Sequence, residues 1–398
     1  MHHAIAAGMA VHVGATLRWE VAGAGNVGWE PGTLLVATHR SERDVPLVCS
    51  ALYFRGGLWR NRGRALSFAA RDDMFAAGFL AGFPPGLPPW LRGRLARLSL
   101  ERGLRHNHVH PIASATTIRL GAALAAVPPD AALDELLPAA VLGRLRTVAA
   151  YAGRPEPRSA GDALRGELMD ALWAPLTTAE LTHPAFEPAW RRRATEARGS
   201  LRELIEVMRA GHPLLLFPEG RPSPDGAVGP LRRGLGALAR RGGARRLVPI
   251  GVAYDALTVG RPRAVVALRP AVAADGEGIE DRALSELRRA LPLTCAGAVA
   301  PALLALAEAG ERRLDPAALE RAVAEAVKRA RSAGRPVERA LIDTARHRPR
   351  LAECLAALAR SGALVSAPDG ASTLEPALVL SHPELRRAAT AERSAAEG

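Results

Sequence analysis

The chain predicts an α/β fold: a mainly parallel sheet flanked by helices, followed by a helical C-terminal region. Short apolar runs of strand length recur at 33–38, 65–70, 213–217, 246–254 and 263–269. Helical patterns fall between several of them, the alternation a parallel sheet needs for its crossovers. The chain has 398 residues, 48% of them apolar, which is enough to enclose a sizeable core.

Residues 16–22 alternate apolar and polar and then meet the Gly23-Ala24-Gly25-Asn26 turn signal, which reads as a strand. A second strand follows at 33–38. Val45 to Phe54 is apolar enough for a buried helix, with Asp44 placed to cap it and Pro46 in its first turn. A strand at 65–70 precedes a Phe- and Ala-rich helix at 74–83. Pro84 to Gly93 breaks regular structure, and Val109 to Ile112 reads as a short strand. From 128 to 200 the periodicity is poor apart from helices near 131–151 and 160–172, so this stretch reads as an insertion. Apolar residues at 201, 204, 205 and 208 mark a helical face stopped by Gly211. Strand 213–217, a helix at 231–241 and strands at 246–254 and 263–269 complete the series.

The core is expected to end near 275, giving a domain over 1–275 with an insertion at about 128–200, and a second region over 276–398. That region reads as Ala- and Leu-rich helices at 280–291, 296–309, 316–332 and 336–361, followed by a small β ribbon from Ser361 to Ser366. The order is compatible with a winged-helix-like tail and equally with a plain helical cap.

No apolar, charge-free stretch approaches the roughly 18 residues of a membrane-spanning helix. The start, Met1-His2-His3-Ala4-Ile5-Ala6, lacks the basic and apolar regions of a secretory signal. Cysteines at 49, 295 and 354, without close spacing, argue against a disulfide framework or structural zinc and fit a reducing cytoplasm. The formal charge of +13 favours an anionic partner, either a phospholipid surface or nucleic acid. Lys328 is the only lysine, and most of the arginine is spread along the chain. Clusters stand out at 191–193, 232–233, 240–241 and 245–246.

Two blocks carry chemistry. Val36-Ala37-Thr38-His39-Arg40-Ser41-Glu42-Arg43-Asp44 places a histidine at the exit of a strand and an aspartate five residues later. Histidine suits removal of a hydroxyl proton near neutral pH, and an aspartate on its other ring nitrogen would fix the tautomer and stabilise the imidazolium. Leu214-Leu215-Leu216-Phe217-Pro218-Glu219-Gly220-Arg221-Pro222-Ser223 delivers a second loop to a strand's carboxyl end, where open α/β sheets bind ligands. There Gly220 permits close approach, Arg221 offers a planar fork for a phosphate, Ser223 adds a hydroxyl donor, and Glu219 can accept from a substrate hydroxyl or hold Arg221. Taken alone, each block also reads as an ordinary loop with a helix cap or surface ion pair. His106, His108 and His110 lack an acidic partner at ligand spacing, so no metal site is expected.

Together the blocks resemble those of the glycerolipid acyltransferases, the lysophosphatidic acid and glycerol-3-phosphate acyltransferase superfamily. Its N-H-x4-D, F-P-E-G-T-R-S and V-P-I blocks are matched by Thr38-His39 to Asp44, Phe217-Pro218-Glu219-Gly220 to Ser223, and Val248-Pro249-Ile250-Gly251-Val252-Ala253-Tyr254, in order. The resemblance covers roughly 16–54 and 200–270. It implies an O-acyltransferase that moves a fatty acyl chain from acyl-CoA or acyl carrier protein to glycerol-3-phosphate or a lysophospholipid in phospholipid biosynthesis. His39 would be the general base, Asp44 its partner, and Glu219, Gly220 and Arg221 the residues at the acceptor phosphate. It implies no cofactor, and work in the cytoplasm, peripheral at the inner face of a membrane, through arginines and apolar loops such as Phe79 to Trp90 with Phe83, Leu87 and Trp90. Three departures stand: Thr38 replaces the usual asparagine; Arg221 lies one residue early, with Pro222 in its place; and the arginine-ending block between the two has only Val109 to Arg119, or Arg71, as stand-ins. Two other classes remain open, a basic nucleic-acid-associated protein and a catalytically degenerate lipid-binding module.

Overall fold

The computed structural model describes residues 2–58, 65–81, 91, 94–165, 168–223, 225–275, 277–366 and 372–398. Its strands are β1 (Arg18–Ala22), β2 (Thr33–Ala37), β3 (Ser67–Arg71), β4 (Val109–Ile112), β5 (Thr117–Arg119), β6 (Pro175–Thr177), β7 (Leu214–Leu216), β8 (Arg246–Asp255), β9 (Arg263–Leu268), β10 (Val272–Ala273), β11 (Arg313–Leu314), β12 (Leu364–Ser366) and β13 (Ser372–Leu374). The chain forms two compact units, Met1–Ser67 with Val207–Gly398, and Phe68–Glu206. The fold is mixed α/β with a mostly parallel sheet.

In the first unit the strands run in the order β1-β9-β8-β2-β7, with β10 beside β8. β2 lies between β8 and β7, parallel to both, and all five of its residues are buried. Its unbroken apolar run is what a strand covered on both faces requires. β1 is parallel to β9, but β8 and β9 are antiparallel, which departs from the expected alternation. Residues 256–262 are too few for a crossover helix and contain Gly260-Arg261-Pro262, so the two strands form a hairpin.

β8 holds a proline in its interior. Pro249 falls just beyond the last β9 pair, Ile250 with Leu268, and before the first β10 pair, Leu247 with Val272. Its missing N–H therefore faces a gap in the ladder, while its carbonyl accepts from the Arg269 N–H at 3.0 Å. Two residues on, Gly251 lies under the end of the Ile279–Ala290 helix, where a Cβ would stand 1.8 Å from the Ala290 carbonyl oxygen. Gly251→Ala should therefore force helix and strand apart and lower stability by roughly 1–3 kcal/mol or more, read as a fall in the thermal midpoint.

Several expectations are corrected. A helix at His2–Thr16, absent from the expected elements, packs on Asp44–Phe54. It carries no charged Lys, Arg, Asp or Glu, so it shows no amphipathic contrast to read. Strand β1 starts only at Arg18. Within the helix expected at 74–83, the described residues to 81 form no α-helix: two short 3₁₀ turns, Asp72–Phe75 and Phe79–Ala81, are separated by Gly78 at φ +87°, and residues 82 and 83 lie outside the described residues. Phe83, Leu87 and Trp90, named above as membrane contacts, lie outside the described residues.

The Phe68–Glu206 unit has its own core, in which Leu133, Leu145, Leu176 and Phe186 are fully buried. β3 and β4 are parallel; β5 and β6 form an antiparallel pair that sequence patterning missed. The helix expected at 131–151 is broken at Pro138 into Leu133–Leu136 and Ala139–Tyr151. The helix expected at 201–209 begins at Glu187. Its added turns are polar and rest on pairs such as Arg191 with Glu187 and Arg192 with Glu196, four residues apart, instead of on an apolar stripe.

The C-terminal region follows the expected helices, at Ile279–Ala290, Cys295–Glu308 and Pro316–Ser332. The fourth is divided into Arg339–Ile342 and Thr344–Arg360, because Asp343 stops one and caps the other by accepting from the Ala345 N–H. The ribbon is a three-stranded sheet in the order β11-β13-β12. Two more helices, Pro376–Ser381 and Pro383–Ala396, each begin with proline in the first turn. Arg350, 2% exposed, donates to Asp255 and Glu338, which ties the end of β8 to the Thr344–Arg360 helix.

Candidate active site

Strand β2 ends at Ala37, and the next residue fixes how the chain leaves the sheet. The Thr38 N–H donates to the Ile250 carbonyl at 3.0 Å, and its Oγ1 accepts from the Val252 N–H at 2.9 Å. Thr38 thus staples the exit of β2 to β8. The following loop folds back on itself. The Asp44 carboxylate, fully buried, takes His39 Nδ1 at 2.9 Å and the backbone N–H groups of Arg40 and Ser41 on Oδ2, and the Tyr254 hydroxyl at 2.8 Å on Oδ1. Asp44 is therefore the first residue of its helix and organises the loop before it; it does not cap the turn after it.

A carboxylate accepting from Nδ1 assigns the proton of a neutral imidazole to that nitrogen and leaves the Nε2 lone pair to receive one. The His39 side chain is 11% exposed, and its ring lies on Phe217 with centroids 4.8 Å apart. Burial and the adjacent Asp44 charge push the Tyr254 hydroxyl pKa up, so it stays a donor to Asp44. Tyr254 ends the third sequence block without an evident role there; only the pairing of β8 beside β2 brings it to the carboxylate.

The second block meets the first through Glu219, which is 6% exposed. Its Oε1 accepts from the His39 N–H at 2.7 Å and its Oε2 from the Gly229 N–H at 2.8 Å. Burial raises its carboxyl pKa, and those two N–H groups and Arg40 oppose the rise. Each oxygen thus holds a backbone N–H, and Glu219 makes no ion pair with Arg221 among the described residues; it joins blocks 180 residues apart. Ser223 is likewise occupied: its N–H donates to the His39 carbonyl at 2.8 Å, and its hydroxyl donates to Asp225 at 3.0 Å and accepts from the Gly226 N–H at 3.1 Å. The expected hydroxyl donor to substrate is instead a turn-former.

Gly220 adopts φ +73°, which favours glycine, and a Cβ there would come 2.9 Å from Nε of Arg232. Arg232 thus lies over the loop, its N–H donating to the Pro218 carbonyl at 2.9 Å. Arg221 is exposed and makes no ion pair among the described residues. Arg40 is drawn inward, its guanidinium donating to the Gly226 carbonyl. Burial lowers its pKa, opposed by Glu219 and Asp44.

In the Phe68–Glu206 unit, the two stand-ins for the intervening arginine, Arg71 and Arg119, both bind Asp73, Arg119 at 2.6 Å, and Arg119 also stacks 3.2 Å from the ring centroid of Trp173. His110 pairs with Glu203 at 2.8 Å. Among the described residues no group of three or more His, Cys, Asp or Glu is placed to hold a metal ion, and no helix is long and apolar enough to cross a membrane. A cavity of about 390 Å³ lies at the β1–β9 edge, lined in part by Arg18, Arg263, Arg350 and Glu353. These arginines are matched by carboxylates: Arg18 and Arg263 reach Glu353, and Arg350 reaches Asp255 and Glu338.

No curated protein matches the chain. Among solved structures it is similar to the 1-acyl-sn-glycerophosphate (LPA) acyltransferase PlsC from Thermotoga maritima, with 13% identity over 70% of this chain and 72% of that one and a TM-score of 0.35. The Acyltransferase family matches residues 169–253, a span that includes the Phe217 to Ser223 and Val248 to Ala253 blocks and leaves His39 and Asp44 outside. Over that span the chain is similar to the Acyltransferase family, whose match takes in the second and third of its three blocks.

Proposed function

We propose that the chain transfers a fatty acyl group from the thioester of acyl-CoA or acyl carrier protein to a hydroxyl of glycerol-3-phosphate or of a lysophospholipid such as lysophosphatidic acid, in phospholipid biosynthesis. The observation that carries this reading is the 2.9 Å pairing of His39 Nδ1 with a buried Asp44 at the carboxyl end of a central strand. The acceptor hydroxyl gives its proton to Nε2 as its oxygen attacks the thioester carbonyl. Asp44 stabilises the imidazolium. The tetrahedral intermediate then collapses with loss of the thiolate, which takes the proton back. A thioester is already activated, so base and orientation are the protein's main contributions.

In this reading Gly220 and Arg221 serve the acceptor phosphate, with Arg232 beside them, while Glu219 and Ser223 act by holding the loop. Residues 1–275 form the acyltransferase domain with an insertion at about 128–200. The C-terminal region, with its order of helix, β11, helices and β12–β13 hairpin, is winged-helix-like. Attachment at the inner face of a membrane is supported by the arginine-rich surface and by the His2–Thr16 helix, which has no Lys, Arg, Asp or Glu and in which Val11 is 72% exposed.

The test is to offer the purified chain labelled acyl-CoA and acyl carrier protein with a panel of glycerol-3-phosphate, lysophosphatidate and other lysolipids. Transfer to at least one acceptor is expected, and none to any would refute the reading. Arg221→Ala should raise KM for a phosphorylated acceptor about tenfold with little change in kcat, the signature of lost binding common to ground and transition states.

A further inference from the structure

The Pro383–Ala396 helix lies outside all three blocks and outside the family match, yet it packs on the loop that follows Gly220. Ser394, 5% exposed, accepts the buried Val228 N–H on Oγ at 3.0 Å. Gly226 sits so close to the helix that a Cβ there would be 2.7 Å from the Arg387 carbonyl oxygen. The helix is itself fixed from behind. Arg335 makes a two-pronged pair with Glu392 at 2.9 and 3.2 Å, and the Gly398 carbonyl accepts from Ser285 and Arg289 at 3.1 and 2.7 Å.

Two loop glycines near Val228, Gly226 and Gly229, connect onward to the histidine. Gly229 donates to Glu219, whose other oxygen holds the His39 N–H; Gly226 receives Arg40, the neighbour of His39. We propose that Ser394 is a positioning residue: through the Val228 N–H it holds the 225–229 loop where Gly229 fixes Glu219 and Gly226 fixes Arg40, and so sets the place of the His39 backbone. A hydrogen bond on a rigid helix suits this task, because a misplacement of about 1 Å at a reacting group can cost about a hundredfold in rate. The catalytic consequence rests on the acyl-transfer reading; the structural linkage does not.

The experiment compares the full chain with Ser394→Ala by hydrogen exchange of peptides spanning 36–42 and 223–231, and by steady-state kinetics. Exchange in both peptides should rise about fivefold while a peptide over 263–268 is unchanged, since only local opening is made easier. With a working acceptor, kcat should fall about tenfold at nearly constant KM, and in a Glu219→Gln background Ser394→Ala should add less than about twofold, because both act along one linkage. Should Ser394→Ala not fold, Glu392→Gln loosens the same helix from its other side and should raise exchange in the same two peptides. Unchanged exchange at 36–42, or full additivity with Glu219→Gln, overturns the proposal. A wild-type chain that transfers no acyl group while exchange still rises overturns the acyl-transfer reading and upholds the linkage.

Discussion

His39→Ala is expected to lower kcat/KM for acyl transfer by about 10³-fold or more, within the range for loss of a general base. The thermal midpoint should barely move. Without the imidazole, Asp44 still accepts from the Arg40 and Ser41 N–H groups and from Tyr254, and Glu219 still holds the backbone N–H of residue 39. The loop therefore keeps its bonds while the proton acceptor is gone. Parallel assays and melting curves check this. A variant as active as wild type would remove His39 from the mechanism, whatever the acceptor.

Asp44→Asn should be nearly as severe, with kcat falling by about 10²- to 10⁴-fold, the scale seen when a triad carboxylate is replaced by its amide. An amide oxygen can still accept from Arg40 and Ser41, and the Tyr254 hydroxyl can rotate to accept from the amide nitrogen. The negative charge that stabilises the imidazolium is lost. Folding should suffer less than in Asp44→Ala, which leaves two backbone N–H groups without their acceptor at a residue that is 0% exposed and costs roughly 2–4 kcal/mol. Melting curves for Asp44→Asn and Asp44→Ala, read with their kcat values, separate lost charge from lost structure. Equal loss of stability in both would contradict the division of roles.

The central strands were legible because burial on both faces writes itself into Leu34 to Ala37 and Leu214 to Leu216 as uninterrupted apolar text. The His39 to Asp44 loop was legible because five residues suffice to close it. What was hidden depended on partners far along the chain. The sequence offers Glu219 as a substrate contact and carries no sign that its oxygens tie His39 to Gly229, nor that Tyr254 is tied to Asp44. The antiparallel β8–β9 hairpin could have been read from its short Gly-Arg-Pro connection. The early turns of the Glu187–Arg209 helix could not be read from apolar spacing, since charge pairs support them.

Because β2 and β7 are hydrogen-bonded neighbours, the chain leaves the first block and re-enters at the second through adjacent positions. Closing such an excursion costs free energy that grows only with the logarithm of its length, about 0.6 kcal/mol for each doubling. Whole folded segments can thus be gained or lost there across evolution with little thermodynamic penalty, and the number of residues separating two chemical signatures in such proteins says almost nothing about how near those signatures stand in space.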